Sequence, residues 1–165
     1  MDTKGKPVQF SRIETHDIVH PSDANAYGNV FGGHLVALMD KAACMVAYRH
    51  SEAKVVTVSV DGIYFQHPAP VGTMLTLLAS LNRAFHSSME IGIKVIGWRP
   101  NEPDVEICKA YMTFVAIDED SKPMAIPPVI PETEEDKRRY NNAMIRREAR
   151  LALRDKLVEK GFRSL

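Results

Sequence analysis

The side chains of this chain that are best suited to chemistry lie between Asp23 and Asp40. A polar loop leads into the pair Gly32-Gly33, and an apolar stretch that carries the carboxylate of Asp40 follows. Glycine lets the backbone approach a ligand closely, and unpaired N–H groups point outward where a helix begins. A carboxylate on an apolar helix is costly unless it has a partner or a function. These features predict hydrolysis of an acyl compound, in which the N–H groups polarise the carbonyl and the carboxylate supplies the base.

Asp40 also has a structural interpretation, in which it caps a turn or pairs with Lys41 at the surface. The predicted helix places small or slender residues on the same side as Asp40, where they leave room for a substrate. We therefore favour the catalytic interpretation. The residues on that side are Val36, Ala37, Ala43, Cys44 and Ala47.

Asn25, in the polar loop, allows two interpretations. Asn commonly closes a turn through its side chain. Its amide could instead fix a water molecule or bind an oxyanion. The residues alone leave both roles open.

Other chemistries lack the residue spacing that they need. The histidines are scattered and show no HxH or HExxH pattern, so we predict no metal site. No GxSxG motif occurs, and Ser87-Ser88 at the start of a predicted strand is more typical of a turn than of a nucleophile.

Composition narrows the class of protein. The chain has 165 residues, with 21 Lys plus Arg and 21 Asp plus Glu. This length suits one domain, and the neutral balance predicts no binding to nucleic acid or anionic lipid and favours assembly with other copies. No apolar run reaches the roughly 18 residues of a membrane span, and no secretory signal begins the chain. Cys44 and Cys108 lie far apart without a CxxC motif, so we predict a reduced, cytoplasmic protein.

Hydrophobic periodicity predicts one long helix followed by four strands. The helix runs from Gly33 to about His50 and is rich in Leu, Ala and Met, which are good helix formers. An edge strand is predicted before it, within residues 8–19. Four strands follow over 55–65, 74–83, 88–98 and 105–117, the first with a bulge at Gly62. Consecutive antiparallel strands after a long apolar helix indicate an α+β domain whose sheet wraps around that helix.

The C-terminal part of the chain predicts a second helix. Prolines between 123 and 131 mark a linker, and Thr133 to Asp136 has the pattern of an N-cap with an acidic first turn. The helix should reach about Lys160, with its arginines on a solvated face paired at i,i+4. We therefore divide the chain into a core domain, 1–130, and a helical extension, 131–165.

Four motifs occur in register between residues 14 and 130. They are the run Asp23–Gly33 with Leu35, Met39 and Asp40; Val56-Thr57 with Val60-Asp61; Phe65-x-x-Pro68-x-x-Val71-Gly72; and Ser87-Ser88-Met89-Glu90. Together they resemble the signature of the hotdog-fold acyl-CoA thioesterases. More specifically, they are similar to the acyl-CoA hydrolase group that includes short bacterial single-domain members and two-domain brain-type enzymes.

The resemblance implies a hotdog fold, in which two chains pair into a dimer with one continuous sheet and three dimers form a hexamer. It implies that Asp40 is the catalytic carboxylate, acting as base or nucleophile. Asn25 would assist from the partner chain, and the backbone N–H of Gly33 would polarise the thioester carbonyl. The expected reaction is hydrolysis of fatty acyl-CoA to a fatty acid and coenzyme A, without a metal or redox cofactor.

The resemblance also implies which residues bind coenzyme A. Gly32, Thr57, Ser87 and Ser88 are the expected substrate-binding residues, with Thr57 and Ser88 near the pantetheine or nucleotide part. Where the family commonly has Gly and Arg before the Ser pair, this chain has Phe followed by His86. His86 is therefore the candidate for a phosphate contact.

Two alternative functions use the same fold. A non-catalytic acyl-CoA-binding protein would lack a base, whereas this chain has Asp40. A dehydratase would need a catalytic His in the helix region, where His34 lies on a different face from Asp40. The length of the acyl chain is left open by the sequence.

Overall fold

A long apolar helix packs against one face of an antiparallel sheet. The computed structural model describes residues 4–160, and its sheet has five strands in the order β2-β4-β5-β6-β3. This architecture confirms the predicted α+β class. In chain order the elements are β1 (Lys6–Pro7), α1 (Val8–Ser11), β2 (Ile13–Ile18), α2 (Gly32–Ser51), β3 (Lys54–Phe65), β4 (Met74–Ala84), β5 (Ser88–Trp98), β6 (Val105–Ile117), β7 (Val129–Ile130) and α3 (Glu134–Glu159).

The central helix α2 forms where its sequence predicts it. Its buried side chains include Leu35, Met39 and Val46, spaced at three to four residues or multiples of that spacing, as one helix face requires. The helix ends at Glu52, whose backbone takes the left-handed conformation with φ of 53° and donates its N–H to the carbonyl of Tyr48. The face of α2 that packs on the sheet is therefore set by local periodicity.

Strand β3 contains the predicted bulge. Its register against β6 shifts between Asp61 and Tyr64, around Gly62 with φ of +20°. The predicted edge strand at residues 8–19 is only partly correct, because it begins at Ile13 and residues 8–11 form a helical turn. Val8 and Ser11 are both buried. Residues three positions apart lie on the same face of a helix but on opposite faces of a strand, so only a helical turn buries both.

Helix α3 begins with the predicted cap. The Thr133 hydroxyl accepts the N–H of Asp136, whose carboxylate accepts the N–H of Thr133 in return. In the first turns Arg138 and Arg139 pair with Glu135, and hydrogen bonds from Arg138 and then Arg139 lower the pKa of Glu135 to about 2. The helix and its first ion pairs confirm the sequence analysis, whereas the domain boundary at residue 130 stays a prediction.

The prediction of a solvated arginine face is wrong for four arginines of α3. Each reaches a polar side chain of the sheet, because the face of the sheet opposite α2 carries hydroxyl and carboxylate acceptors. The pairs are Arg139 with Ser80, Arg146 with Glu90, Arg147 with Ser88 and Arg150 with Asp61. The sheet is therefore covered by α2 on one face and by α3 on the other.

Glu90 and Arg146 form the most buried of these pairs. The Glu90 side chain is fully buried, and its Oε1 accepts a hydrogen bond from Arg146 Nη2 at 2.7 Å and another from Asn82 Nδ2 at 3.0 Å. The guanidinium carbon of Arg146 lies 3.6 Å from the ring centroid of Tyr111. A Cβ on Gly92 would lie 2.9 Å from Asn82 Nδ2, so glycine makes room for this amide. Removing one partner of such a pair costs about 3–5 kcal/mol, because the other charge stays buried.

His50 makes the stability of the fold depend on pH. Its side chain is fully buried in the last turn of α2, and Nε2 lies 2.9 Å from the carbonyl oxygen of Pro127. That oxygen can only accept, so Nε2 carries the proton. Within residues 4–160 the buried Nδ1 has no hydrogen-bond partner. Burial is the largest influence and lowers the pKa of His50 below its usual 6.5.

We expect acid to destabilise the fold through His50. Below about pH 6.5 the unfolded chain takes up this proton and the folded chain resists it, so the free energy of unfolding falls as the pH is lowered further. Urea unfolding at pH 7.5 and at pH 5.5 measures this loss. His50→Gln should show a smaller loss, whereas His86→Gln, at an exposed histidine, should behave as the wild type. An unchanged pH dependence in His50→Gln would contradict the assignment.

Candidate active site

Asp40 receives a hydrogen bond from the adjacent strand. Its Oδ1 accepts from the hydroxyl of Thr57 in β3 at 2.8 Å, and its side chain is partly exposed. In the sheet, Thr57 lies opposite Phe114 of β6, and Phe114 lies opposite Met89 of β5. Phe114 and Met89 are both buried in the core. Residues in register share a face of the sheet, so Thr57 faces α2. The structure thus brings together two of the residues that the sequence analysis singled out.

The start of α2 presents unpaired backbone N–H groups. Phe31 precedes the helix, and its carbonyl accepts the N–H of His34 and of Leu35. In the part of the chain that the structure describes, no acceptor takes the N–H of Gly32 or Gly33. Such groups carry the positive end of the helix dipole and attract developing negative charge.

Gly33 and Asp40 lie on the same side of the helix. Seven residues correspond to about two turns and a rise of about 10 Å, and helical side chains lean toward the N-terminus. A carbonyl polarised at the helix start would therefore lie on the same helix face as the carboxylate. This relation follows from the spacing alone.

Two aromatic rings lie beside the glycine pair. A Cβ on Gly33 would be 2.9 Å from the ring of Phe31, and one on Gly32 would be 3.4 Å from the ring of Phe65. Both rings are more than half exposed. Because glycine has no Cβ, these rings can lie against the start of the helix. The sequence analysis assigned no role to these two rings, although Phe31 directly precedes the glycine pair and Phe65 begins one of the four motifs.

Asn25 closes its own loop. Its Oδ1 accepts the N–H of Tyr27 at 2.9 Å and that of Asn29 at 3.3 Å. The structural interpretation is therefore correct for the side-chain oxygen. Its NH₂ group makes no hydrogen bond within residues 4–160, and the two bonds to the oxygen fix its direction. It can still donate to a ligand.

Asp23 ties the same loop to the helix start. Its carbonyl accepts the N–H of Phe31 at 2.7 Å, and its carboxylate accepts the N–H of His20 at 2.9 Å. This hydrogen bond from the His20 backbone lowers the pKa of Asp23. His34 Nδ1 lies 3.8 Å from the Asp23 carboxylate. His34 therefore contacts the loop, which disfavours the dehydratase alternative.

The serine pair lies apart from Asp40 within one chain. Ser88 accepts a hydrogen bond from Arg147 of α3 at 3.1 Å, on the face of the sheet opposite Thr57. The carbonyl of Ser87 accepts the N–H of Ala116, and His86 is exposed in the turn before β5. Their predicted role in binding coenzyme A stays a prediction, and it requires a substrate that reaches beyond Asp40.

Two of the small residues predicted beside Asp40 are buried in the core. Ala43 and Ala47 are fully buried in the core beneath α2, whereas Val36 and Cys44 are partly exposed and Ala37 is exposed, so the room predicted for a substrate beside Asp40 stays a prediction. Two clefts within residues 4–160, of about 520 and 500 Å³, are both lined by residues other than Asp40. Helical periodicity identified the side of α2 but not the neighbours that pack on it. Asp40 thus lies on an open surface of the single chain.

That open surface continues along an unpaired strand edge. β3 is the outermost strand of its sheet, and Val56, Val58 and Val60 are each at least 40% exposed. Long apolar edge strands pair readily with another chain. The position of Asp40 beside this edge suits a site that a second chain completes.

Residues 4–160 contain two cysteines, no metal-ligand cluster and no membrane-spanning helix. No group of three His, Cys, Asp or Glu residues there could hold a metal ion, and none of the helices is long and apolar enough to cross a membrane. Cys44 and Cys108 are unpaired thiols. Burial raises the pKa of both, that of Cys108 to about 11. Neither therefore carries the thiolate that a nucleophile needs.

Comparison with known protein sequences gives consistent matches. Residues 27–97 match the model of the Thioesterase superfamily. The chain is 44% identical over 115 residues to an uncharacterized acyl-CoA thioester hydrolase of Zymomonas mobilis, covering 68% of this chain and 76% of that protein. It is 36% identical over 148 residues to acyl-coenzyme A thioesterase 11 of Mus musculus, covering 88% of this chain. It spans only 25% of the length of that mouse protein.

Solved structures match over nearly the whole chain. An acyl-CoA hydrolase from Staphylococcus aureus, in complex with butyryl coenzyme A and coenzyme A, is 33% identical with a TM-score of 0.87, covering 94% of this chain and 95% of that one. Alanine variants of an aspartate, an asparagine and a threonine of the same enzyme also match. A hexameric acyl-CoA thioesterase matches at 35% identity and a TM-score of 0.87, covering 90% of this chain and 96% of that one.

Proposed function

Because this chain belongs to the thioesterase superfamily, as an acyl-CoA thioester hydrolase, we propose that it cleaves fatty acyl-CoA and that Asp40 is the catalytic carboxylate. The observation that carries this proposal is the hydrogen bond from Thr57 to Asp40, on the helix face that begins with unpaired N–H groups. This bond fixes one carboxylate oxygen and leaves the other available to react.

The pattern of variants in a relative supports the same three residues. In the Staphylococcus aureus acyl-CoA hydrolase, the replaced asparagine, aspartate and threonine are separated by 15 and 17 positions. Asn25, Asp40 and Thr57 are separated by the same intervals. We assign Thr57 as the positioning residue for Asp40 and Asn25 as a donor to the substrate or to the attacking water.

In the proposed reaction the thioester carbonyl lies at the start of α2. The N–H of Gly33 donates to the oxygen as it becomes negative, where a fixed donor is most effective. Asp40 either takes a proton from water, which adds to the carbonyl carbon, or adds directly and forms an anhydride that water then cleaves. In both routes the C–S bond breaks and the leaving thiolate of coenzyme A regains a proton. Hydrolysis in H₂¹⁸O under single turnover distinguishes them, since only the anhydride route can place ¹⁸O in Asp40.

Coenzyme A itself would extend from Asp40 toward the remaining predicted residues. Gly32, Ser87, Ser88 and His86 keep their assignment to substrate binding as part of this proposal. Since Ser88 and Thr57 face opposite sides of one sheet, the two ends of one substrate would contact different chains. The proposal therefore requires an assembly.

We propose a homo-oligomer, a hexamer built as a trimer of dimers, with each site at a dimer interface. The exposed edge of β3 beside Asp40 supports the dimer, and the hexameric thioesterase among the structural matches supports the larger assembly. We also propose a cytosolic location, supported by a mouse relative named Cytosolic acyl coenzyme A thioester hydrolase, 34% identical over 140 residues.

The overall function is tested by release of free thiol from a panel of short, medium and long acyl-CoA substrates. Turnover supports the hydrolase and defines the acyl length. Tight binding without thiol release would instead identify a non-catalytic acyl-CoA-binding protein. Loss or addition of water at the acyl chain, with the thioester intact, would identify a dehydratase.

A shared site is tested by mixing two inactive variants. We expect Asn25→Ala and Asp40→Asn, each inactive alone, to recover about a quarter of wild-type activity when co-expressed. Random pairing makes half of the dimers mixed, and each mixed dimer holds one intact site in an isologous arrangement. Activity is measured on the co-expressed protein. The control is the two separately produced variants, combined under conditions that prevent subunit exchange. No recovery after exchange would show that Asn25 and Asp40 act within one chain.

A further inference from the structure

Helix α3 crosses the sheet from β4 to β3 and continues past the β3 edge. Its side chains contact successive strands along the way: Arg139 bonds Ser80 of β4, Arg146 bonds Glu90 of β5, and Arg150 bonds Asp61 of β3. β3 is the last strand of the sheet. Arg150 is therefore the last arginine of α3 that contacts its own sheet.

The helix does not end at Arg150. It continues to Glu159, and nine further residues add about 13 Å. Strands lie about 4.8 Å apart, so this overhang, residues 151–159, covers the width of between two and three more strands. None of the five strands described within residues 4–160 lies beneath it.

The overhang carries three apolar side chains on the helix side that faces the sheet up to Arg150. Leu153 and Leu157 each lie seven residues, about two turns, after a sheet-contacting arginine, namely Arg146 and Arg150, and they share its helix face. Their exposed fractions are 59% and 40%. Val158, eleven residues or about three turns after Arg147, is also half exposed. The arginine face of α3 thus becomes mostly apolar where the sheet ends, with Arg154, seven residues after Arg147 and paired with Asp155, as a charged member of that face.

A second copy of this chain supplies the surface that the overhang lacks. The outer edge of β3 carries unpaired backbone groups and exposed valines, and its pairing with the β3 of another copy would continue the sheet beneath the overhang. Two-fold symmetry would place each α3 over the other copy's sheet. The apolar residues of the overhang then pack on the partner, beside the partner's own α3, instead of facing water.

We propose that residues 151–159 of each protomer pack on the outer face of the partner's sheet, so that α3 bridges the two sheets of the dimer. The inference rests on the homodimer of the proposed function and assigns a role to the C-terminal extension. The extension stabilises the pairing that completes the site, and it does so through Leu153, Leu157 and Val158.

The test is dimer affinity in a double variant, Leu153→Asp with Leu157→Asp. Both side chains are exposed in the single chain, so the protomer should fold normally by circular dichroism. Each dimer would bury four such side chains, and we expect its dissociation constant, from sedimentation over a dilution series, to rise at least about a hundredfold. The dimer of a chain that ends at Arg150 should be weakened in the same way.

Ile145→Asp provides the matched control. Ile145 is an exposed apolar residue of the same helix, at 64%, but it points away from the sheet-facing side. This variant should keep the wild-type dissociation constant. If the double variant and the shortened chain both kept the wild-type dimer affinity, the proposal that α3 bridges the two sheets would be overturned. That result would leave the proposed function intact, because thiol release by the wild type tests that function separately.

Discussion

Replacing Asp40 by Asn is expected to lower kcat for acyl-CoA hydrolysis by about 10²- to 10⁴-fold, the range that a positioned acid or base contributes. Asn has nearly the same shape, and its carbonyl oxygen can still accept the hydrogen bond that Thr57 donates at 2.8 Å. It cannot take a proton from water or form an anhydride. The fold and the assembly should therefore persist while chemistry is lost, as steady-state thiol release and sedimentation would show.

The control for this variant is a carboxylate far from the site. Asp120→Asn changes an exposed residue that pairs with Lys122 in the turn after β6, and its kcat should match that of the wild type. If Asp40→Asn retained kcat within twofold, the carboxylate would have no part in the chemistry. The oxyanion site at the helix start would then have to act without a base.

Replacing Gly33 by Pro is expected to lower kcat by about 10²- to 10³-fold, the usual effect of losing one oxyanion donor. Proline lacks the backbone N–H, and its ring is tolerated in the first turn of a helix. An N–H in that turn makes no hydrogen bond within the helix, so none is lost. Since Gly33 donates to no acceptor within residues 4–160, its removal leaves no broken hydrogen bond in the resting protein. The effect should appear in kcat rather than in KM.

Gly33→Ala separates the N–H from the added volume. A Cβ at this position meets the ring of Phe31 at 2.9 Å in either variant, and this exposed ring can shift. The Ala variant keeps its N–H, so it should retain most of the wild-type kcat. Equal kcat values for Gly33→Pro and Gly33→Ala, at equal folded fractions by circular dichroism, would remove this N–H from the mechanism.

The two predictions depend on different levels of structure. Gly33 and Asp40 share a helix face because seven residues make about two turns, which any helix of this sequence would preserve. The partner of Asp40 is different, because Thr57 lies on another element and reaches it only when β3 packs beside α2. Loss of the base and loss of the donor are therefore independent tests of one site.

Local sequence determined the elements that carry the site. The span of α2, the bulge at Gly62 and the capping box at Thr133 all appear where residue types and spacing predict them. Each depends on residues a few positions apart, whose steric and hydrogen-bonding preferences act within one element. The resemblance to hotdog thioesterases rested on motifs of the same local kind.

Only the tertiary structure showed which residues cover each face of the helices and of the sheet. The sequence placed Ala43 on the same side of the helix as Asp40 but could not show that Ala43 is buried in the core. It marked α3 as rich in arginine but could not show that Arg146 meets the buried Glu90, 56 residues away. Periodicity specifies which side chains share a face, whereas the partner of that face depends on strand order and helix docking. Strand order and helix docking depend on contacts between residues far apart in the sequence, which no local pattern encodes.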